Sequence, residues 1–206
     1  MLFGIFVYDG VEPIDLATFG VLSMARRIAP QIGICTIAPK AGIVRLSNGL
    51  EIVAQHGIED APACDMVIVT GGPGWEDQSR SPVTLDYVRR VHAESRVASV
   101  CTGAMILAAS GILDERAATT KRAVVPPEVS PLARMRQTYP RIDAREAPIV
   151  DSGGVVTGGG VSLCIDTTLQ ILQHMLGEQV ASETARIIEY QRAREANRNI
   201  KSFLAG

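Results

Sequence analysis

Histidine, aromatic side chains and paired cysteines are all scarce in this chain of 206 residues. It has three histidines, one tryptophan and 4% aromatics. So thin an aromatic supply argues against a base-stacking surface. Net charge is −2, which leaves no electrostatic footprint for nucleic acid or an anionic membrane. The four cysteines, Cys35, Cys64, Cys101 and Cys164, form no C-x-x-C pair. That spacing argues against a zinc site or a disulfide framework and for a reducing compartment, so the expected location is the cytoplasm and no metal is expected. No apolar run approaches the roughly 20 residues of a membrane span. The stretch Met1–Tyr8 is apolar but lacks the basic flank and small-residue cleavage site of a signal peptide.

What is present is a core. Apolar residues make up 47% and charged residues 20%, which excludes disorder as the main state and fits one domain over residues 1–206. Strand-like and helix-like stretches alternate. Leu2–Tyr8, Gly33–Ala38, Met66–Val69 and Val97–Val100 read as buried strands. Ile14–Ile28, Val83–Glu94, Val161–Leu176 and Gln179–Ala196 have helical spacing. Val44–Leu46 and Glu51–Ala54 flank Ser47-Asn48-Gly49 and predict a hairpin. Ala147–Val150 and Val155–Thr157 read as short paired strands, and prolines break 124–141 into turns with one short helix. Alternating βα units with buried strands predict a three-layer α/β/α sandwich with a mostly parallel central sheet. In such sheets the active crevice lies at the carboxyl ends of the strands.

Cys101 falls at such an end. Val97–Val100 stops at the thiol, and Thr102 opens a helix that runs to Gly111. A helix start offers free N–H groups and a favourable dipole, so the expectation is a sulfur held as thiolate. A free cysteine is also a common small core residue, and that plainer reading competes. Thr70-Gly71-Gly72-Pro73-Gly74 follows another strand. The Gly72 and Thr102 N–H groups are the expected oxyanion hole. The alternative for the glycines is a plain tight turn. Their spacing is not that of a dinucleotide site. Asp15 and Glu12 follow the first strand and are the candidate acids, with Asp15 the better placed beside Ile14 and Leu16. His56, His92 and His174 fall in structural or exposed settings, so proton chemistry falls to a carboxylate.

These stretches resemble the ThiJ/PfpI group of the class I glutamine-amidotransferase-like superfamily. The resemblance runs through Asp9-Gly10-Val11, Ile14-Asp15-Leu16, Gly71-Gly72 and Ser99-Val100-Cys101-Thr102-Gly103-Ala104. It continues through Arg116-Ala117-Ala118-Thr119-Thr120 and Thr157-Gly158-Gly159-Gly160-Val161 with Ile165-Asp166. Within the group the isonitrile-hydratase branch and the ligand-binding domains of some transcription regulators are the most similar. The resemblance implies a flavodoxin-like homodimer with no required cofactor and a small-molecule substrate. It implies a nucleophile at Cys101, a carboxylate at Asp15 and a supporting hydroxyl at Thr102. The reaction it implies is addition of the thiolate to an isonitrile, then hydration to an N-substituted formamide.

The chain departs from that branch in places. Lys121-Arg122 stands where His-Trp is usual, Thr18-Phe19 where Gly-Pro is usual, and Leu163-Cys164 where smaller residues are common. The Pro-rich tail of the branch is replaced by a mixed-charge helix over 191–200, a solvated face or a dimer contact. Two other readings therefore stand beside the lyase. One is a different cysteine enzyme of the group, glyoxalase, deglycase, peptidase or amidase. The other is a non-catalytic ligand or redox sensor. The 206 residues leave no room for a helix-turn-helix, so DNA binding is not expected.

Overall fold

The computed structural model describes residues 1–198 and the two-residue strand Phe203–Leu204. The first strands along the chain are β1 (Leu2–Phe6), β2 (Gly33–Ala38), the separate two-stranded hairpin of β3 (Gly42–Arg45) and β4 (Glu51–Ala54), β5 (His56–Gly57), β6 (Met66–Val69) and β7 (Arg96–Ser99). The later strands are β8 (Ala117–Ala118), β9 (Asp143–Ala144), β10 (Ile149–Asp151), β11 (Val155–Gly158) and β12 (Phe203–Leu204). Eight of them make the main sheet in the order β12-β10-β11-β7-β6-β1-β2-β5, parallel except at β10–β11. β1 and β6 sit at its centre, and from Phe3 and Met66 onward every side chain of both is buried. Such runs are apolar on both faces because helices cover both.

The helices are α1 (Ala17–Ala25), α2 (Trp75–Gln78), α3 (Pro82–Glu94), α4 (Gly103–Ser110), α5 (Pro131–Thr138), α6 (Leu163–Leu176), α7 (Glu178–Ile187) and α8 (Gln191–Arg198). α1, α6 and α7 pack together on one face; α3 and α4, with α2 and α5 against α4, cover the other. This is the expected α/β/α sandwich. α3 starts at a Ser81 cap with Pro82 behind it, and α4 stops at Gly111 with φ +85°, a left-handed stop that glycine adopts without steric cost.

Two predicted helices are divided. Instead of one helix over Ile14–Ile28, a 3₁₀ turn (Pro13–Leu16) precedes α1, and this turn swings Asp15 inward while Ile14 faces out. The predicted Gln179–Ala196 helix breaks at Ile188–Tyr190, where Glu189 takes φ +56°. The break delivers the Tyr190 hydroxyl to Asp166 Oδ2 at 2.8 Å, and Asn197 Nδ2 from α8 donates to the same oxygen at 2.9 Å. A buried carboxylate with two donors outweighs continued helical hydrogen bonding there. Positions 199–200 of the predicted tail helix lie outside the described residues. Among the described residues no helix is long and apolar enough to cross a membrane.

Candidate functional site

β7 ends at Ser99 and α4 begins at Gly103, so the chain must reverse within three residues. Cys101 takes the corner at φ +54°. A non-glycine residue there costs about 1–3 kcal/mol and needs surroundings that enforce it. They are present. The Cys101 N–H donates to the Gly159 carbonyl (3.2 Å), the Cys101 carbonyl accepts from Thr120 Oγ1 (2.9 Å), and the Gly103 N–H donates to the Val100 carbonyl (2.9 Å). Gly103 admits no Cβ, which would lie 2.2 Å from the Val69 carbonyl oxygen. The corner is thus clamped between β6, β11 and the segment after β8.

Asp15 enters from the 3₁₀ turn and is fully buried. Its Oδ2 accepts the Gly71 N–H at 2.7 Å, and its Oδ1 has no hydrogen-bond partner. Burial drives its pKa up to about 7; the Gly71 bond opposes that, the Glu12 charge adds to it, and the nearby Cys101 pulls it down. This carboxyl therefore titrates near neutrality. The Gly71 carbonyl in turn accepts from the Glu12 N–H (2.9 Å), so the ends of β1 and β6 are stitched around Asp15.

Cys101 as a residue is only 2% exposed. Burial first, and the Asp15 charge second, push the Cys101 thiol well above the ordinary range; the Thr102 N–H, the Thr102 side chain and the Lys121 charge pull the other way. The expectation of a resting thiolate is corrected here. A helix start is worth about 0.3–1 kcal/mol to a negative charge, whereas full desolvation moves a pKa by up to about 3–5 units at 1.36 kcal/mol each. The larger effect wins, and Cys101 rests protonated.

The Gly72 N–H also differs from its expected role as an open donor. It donates to Thr102 Oγ1 at 2.8 Å, and that hydroxyl points back toward the Gly72 carbonyl at 3.3 Å. Of the two N–H groups proposed for an oxyanion hole, one is engaged by Thr102 and the other faces the sulfur. The threonine locks the Gly-rich loop to the elbow. His56, His92 and His174 are absent from the cavity at Cys101. His174 pairs with Asp151 at 3.0 Å at the far end of the sheet. Cys164, buried at the start of α6 with its Sγ 3.5 Å from the Ile14 carbonyl, is pushed up to about 12 by burial and Asp15.

Cys101, Thr102 and Gly72 open onto a cavity of about 720 Å³. Its walls are largely apolar: Ile14, Pro73, Trp75, Val124, Val129, Pro131 and Val161, with Glu12, Glu76, Glu128, Lys121 and Arg134 among them. Arg134 stacks over Trp75 at 4.9 Å and pairs with Glu76 at 2.6 Å, so its charge is spoken for. Lys121 Nζ donates to the Ala123 carbonyl at 2.6 Å. Sequence reasoning missed this wall. The one tryptophan, placed directly after Gly74, was the available signal. Val124 and Val129 sit in a proline-broken loop with no periodicity to mark them.

A stability consequence follows from Asp15. Its pKa rises on folding from the 3.8 of a free carboxyl to about 7. Its contribution to stability is fully present below pH 4 and is lost as pH rises through 7. The loss is on the order of 4 kcal/mol at 1.36 kcal/mol per unit. Asp15→Asn keeps an acceptor for the Gly71 N–H and removes the titration. Thermal melts of the variant and the parent are expected to agree below pH 4, to diverge progressively between pH 4 and pH 7, and to stay apart at pH 8, with the variant melting higher.

By class, this is an α/β sandwich that presents one thiol on a strand–helix elbow beside a buried carboxyl. Comparison with known proteins narrows the class: the chain belongs to the DJ-1/PfpI family, whose sequence model matches residues 4–174. It is 30% identical to the isonitrile hydratase of Pseudomonas putida over 189 residues, 91% of this chain and 77% of that protein. It is 30% identical to the HTH-type transcriptional regulator GlxA of Rhizobium meliloti over 161 residues, 76% of this chain but only 45% of the regulator. The fold is shared with a ThiJ/PfpI family protein from Pseudomonas syringae (TM-score 0.79, 21% identity, 95% of this chain and 83% of that one). It is shared also with Drosophila melanogaster DJ-1beta (TM-score 0.75, 17% identity, 91% and 97%).

Proposed function

We propose that this protein is an isonitrile-hydratase-like lyase that adds Cys101 to the terminal carbon of an isonitrile. The observation that carries the reading is a buried carboxyl titrating near 7 beside a protonated thiol at the floor of a largely apolar cavity. An isonitrile is a neutral, linear group with a carbon lone pair, suited to the apolar part of that cavity wall. The similarity to the Pseudomonas putida isonitrile hydratase supports the same reading.

In this scheme the Asp15 carboxylate takes the Cys101 proton as the sulfur bonds to the isonitrile carbon. That carbon receives the proton, leaving a thioimidate, R–N=CH–S–Cys101. Water then adds to the carbon as Asp15 accepts one of its protons. Asp15 passes that proton to the nitrogen, the C–S bond breaks as the remaining hydroxyl proton goes to the sulfur, and R–NH–CHO leaves. The sum is one isonitrile plus one water giving one formamide. Thr102 holds the elbow and its N–H faces the sulfur, where it stabilises developing negative charge. Lys121 adds positive potential. A small-molecule substrate, a homodimer, a cytoplasmic location and no cofactor belong to the same reading.

The test is turnover. A simple alkyl isonitrile incubated with the protein is expected to give the N-alkyl formamide, followed by mass spectrometry, and Cys101→Ala is expected to give none above the uncatalysed rate. Formamide made equally by both proteins would refute the assignment. Ready alkylation of Cys101 by iodoacetamide together with no turnover of any isonitrile would favour the sensor reading.

A further inference from the structure

Two other cysteines meet across the middle of the sheet, at the pole away from Cys101. β2 and β6 are not neighbours; β1 lies between them, with Gly4 in register with Cys35 on one side and Val67 on the other. Cys64 lies in the irregular stretch just before β6. Its Sγ reaches over β1 to within 3.9 Å of Cys35 Sγ. Gly4 makes this possible: a Cβ there would lie 3.0 Å from Cys64 Sγ and 2.7 Å from Ile37 Cδ1. Any larger residue at position 4 would part the two thiols. Asp65 fixes the approach, donating its N–H to the Leu2 carbonyl (2.9 Å) and accepting the Leu2 N–H at 2.7 Å.

We propose that Cys35 and Cys64 are a dithiol that closes to a reversible disulfide over Gly4 when the protein meets a hydroperoxide, a modification site separate from the Cys101 elbow. Geometry supports closure. A disulfide is about 2.05 Å long, so the sulfurs need approach by about 1.9 Å from their 3.9 Å separation. Cys64 is only half-buried and is not part of a regular strand, and although its backbone is held by Ser95 Oγ on its carbonyl (2.6 Å), rotation of its side chain can supply that movement. Chemistry supports a division of labour. The hydrogen bond between the two sulfurs favours a thiolate on Cys35 and holds the proton on Cys64. The Cys35 thiolate attacks one peroxide oxygen; the O–O bond breaks, Cys35 becomes a sulfenic acid, and the released hydroxide takes up a proton to become water. The Cys64 sulfur then attacks the Cys35 sulfur, losing its own proton, and the sulfenic oxygen leaves as a second water. Two thiols are oxidised to one disulfide while one hydrogen peroxide is reduced to two waters.

The experiment is titration of the folded, reduced protein with hydrogen peroxide, quenching by alkylation, and non-reducing peptide mapping. Trypsin cleavage at Lys40 and Arg45 puts the two cysteines on different peptides. The expected result is a Cys35–Cys64 cross-linked pair, lighter by two hydrogens and reversed by dithiothreitol, together with a thermal midpoint raised by about 5–10 °C from closure of the intervening loop. Cys64→Ser is expected to show neither change. The proposal is overturned if no such cross-link forms at any peroxide ratio, if the midpoint of the cross-linked protein is unchanged or lower, or if the rise persists in Cys64→Ser. Cys101 is read on its own peptide, so its oxidation is not confused with this one.

Discussion

Asp15→Asn is expected to lower kcat/KM for isonitrile hydration by about 10²–10⁴, the range that a positioned general base contributes, and to erase the pH dependence near neutrality. The base must be ionised to accept the thiol proton. With the Asp15 pKa raised to about 7 by burial, kcat/KM of the parent is expected to rise as pH climbs through 7 and then level. Asparagine keeps the hydrogen bond from Gly71 and the shape of the turn but accepts no proton, so its profile is flat across that interval. The same substitution stabilises the fold at pH 8. Stability and activity then move in opposite directions from one side chain, which separates a lost base from a damaged fold. A profile for the variant that still inflects near 7 would place the base elsewhere.

The second large effect is on architecture. Gly72→Ala is expected to destabilise the protein by about 3–5 kcal/mol, combining a strained φ with overpacking. Gly72 sits at φ +137°, and a Cβ there would lie 2.2 Å from the Glu12 nitrogen and 2.3 Å from the Gly10 carbonyl oxygen. Both are backbone atoms, so no side-chain rotation relieves the clash. The loop would have to pull away from the 3₁₀ turn, and it carries the Gly71 N–H bond to Asp15 and the Gly72–Thr102 lock with it. For a chain of this size each kcal/mol moves Tm by about 2–4 °C, so a fall of about 10 °C in a calorimetric scan checks the prediction. Gly49→Ala is the comparison: its φ is also positive, at +87°, but nothing lies within 4 Å of its Cβ position, so only the conformational part of the cost applies.

Much of this frame was legible before any coordinates. β2 and β6 begin and end at the residues expected, because each is an apolar run bounded by residues that end strands. The elbow was legible for a similar reason: a buried strand, a small-residue helix start and a single cysteine between them leave few alternatives. Asp15 was legible as a carboxyl close to the elbow, yet its setting was not. A 3₁₀ turn and a full helix share their first apolar positions, and only the packing of Ile14 outward and Asp15 inward reveals the difference. The state of the sulfur was misread because the helix-start effect is local and visible in sequence, whereas desolvation belongs to the assembled core. The Gly72 donor was misread because its partner, Thr102, lies 30 positions away. The two-residue strands β5, β8 and β9 are too short to show alternation. The cavity wall of Trp75, Arg134, Val124 and Val129 is assembled from segments that no periodicity connects.

Lys121 shows where the chain departs from its resemblance without losing the site. It stands where a histidine was expected, and its charge lowers the Cys101 titration rather than raising it.

The coupling between Asp15 and Cys101 is the point on which the rest turns, and the pH dependence of Cys101 alkylation by iodoacetamide measures it most directly. In the parent protein the rate is expected to rise in two steps, one near pH 7 as Asp15 becomes able to accept the thiol proton, and one far higher as the thiol itself ionises. In Asp15→Asn the first step is expected to vanish and the second to move to lower pH, because the negative charge that helps hold the thiol protonated has gone. Superimposable curves for the two proteins would contradict the account.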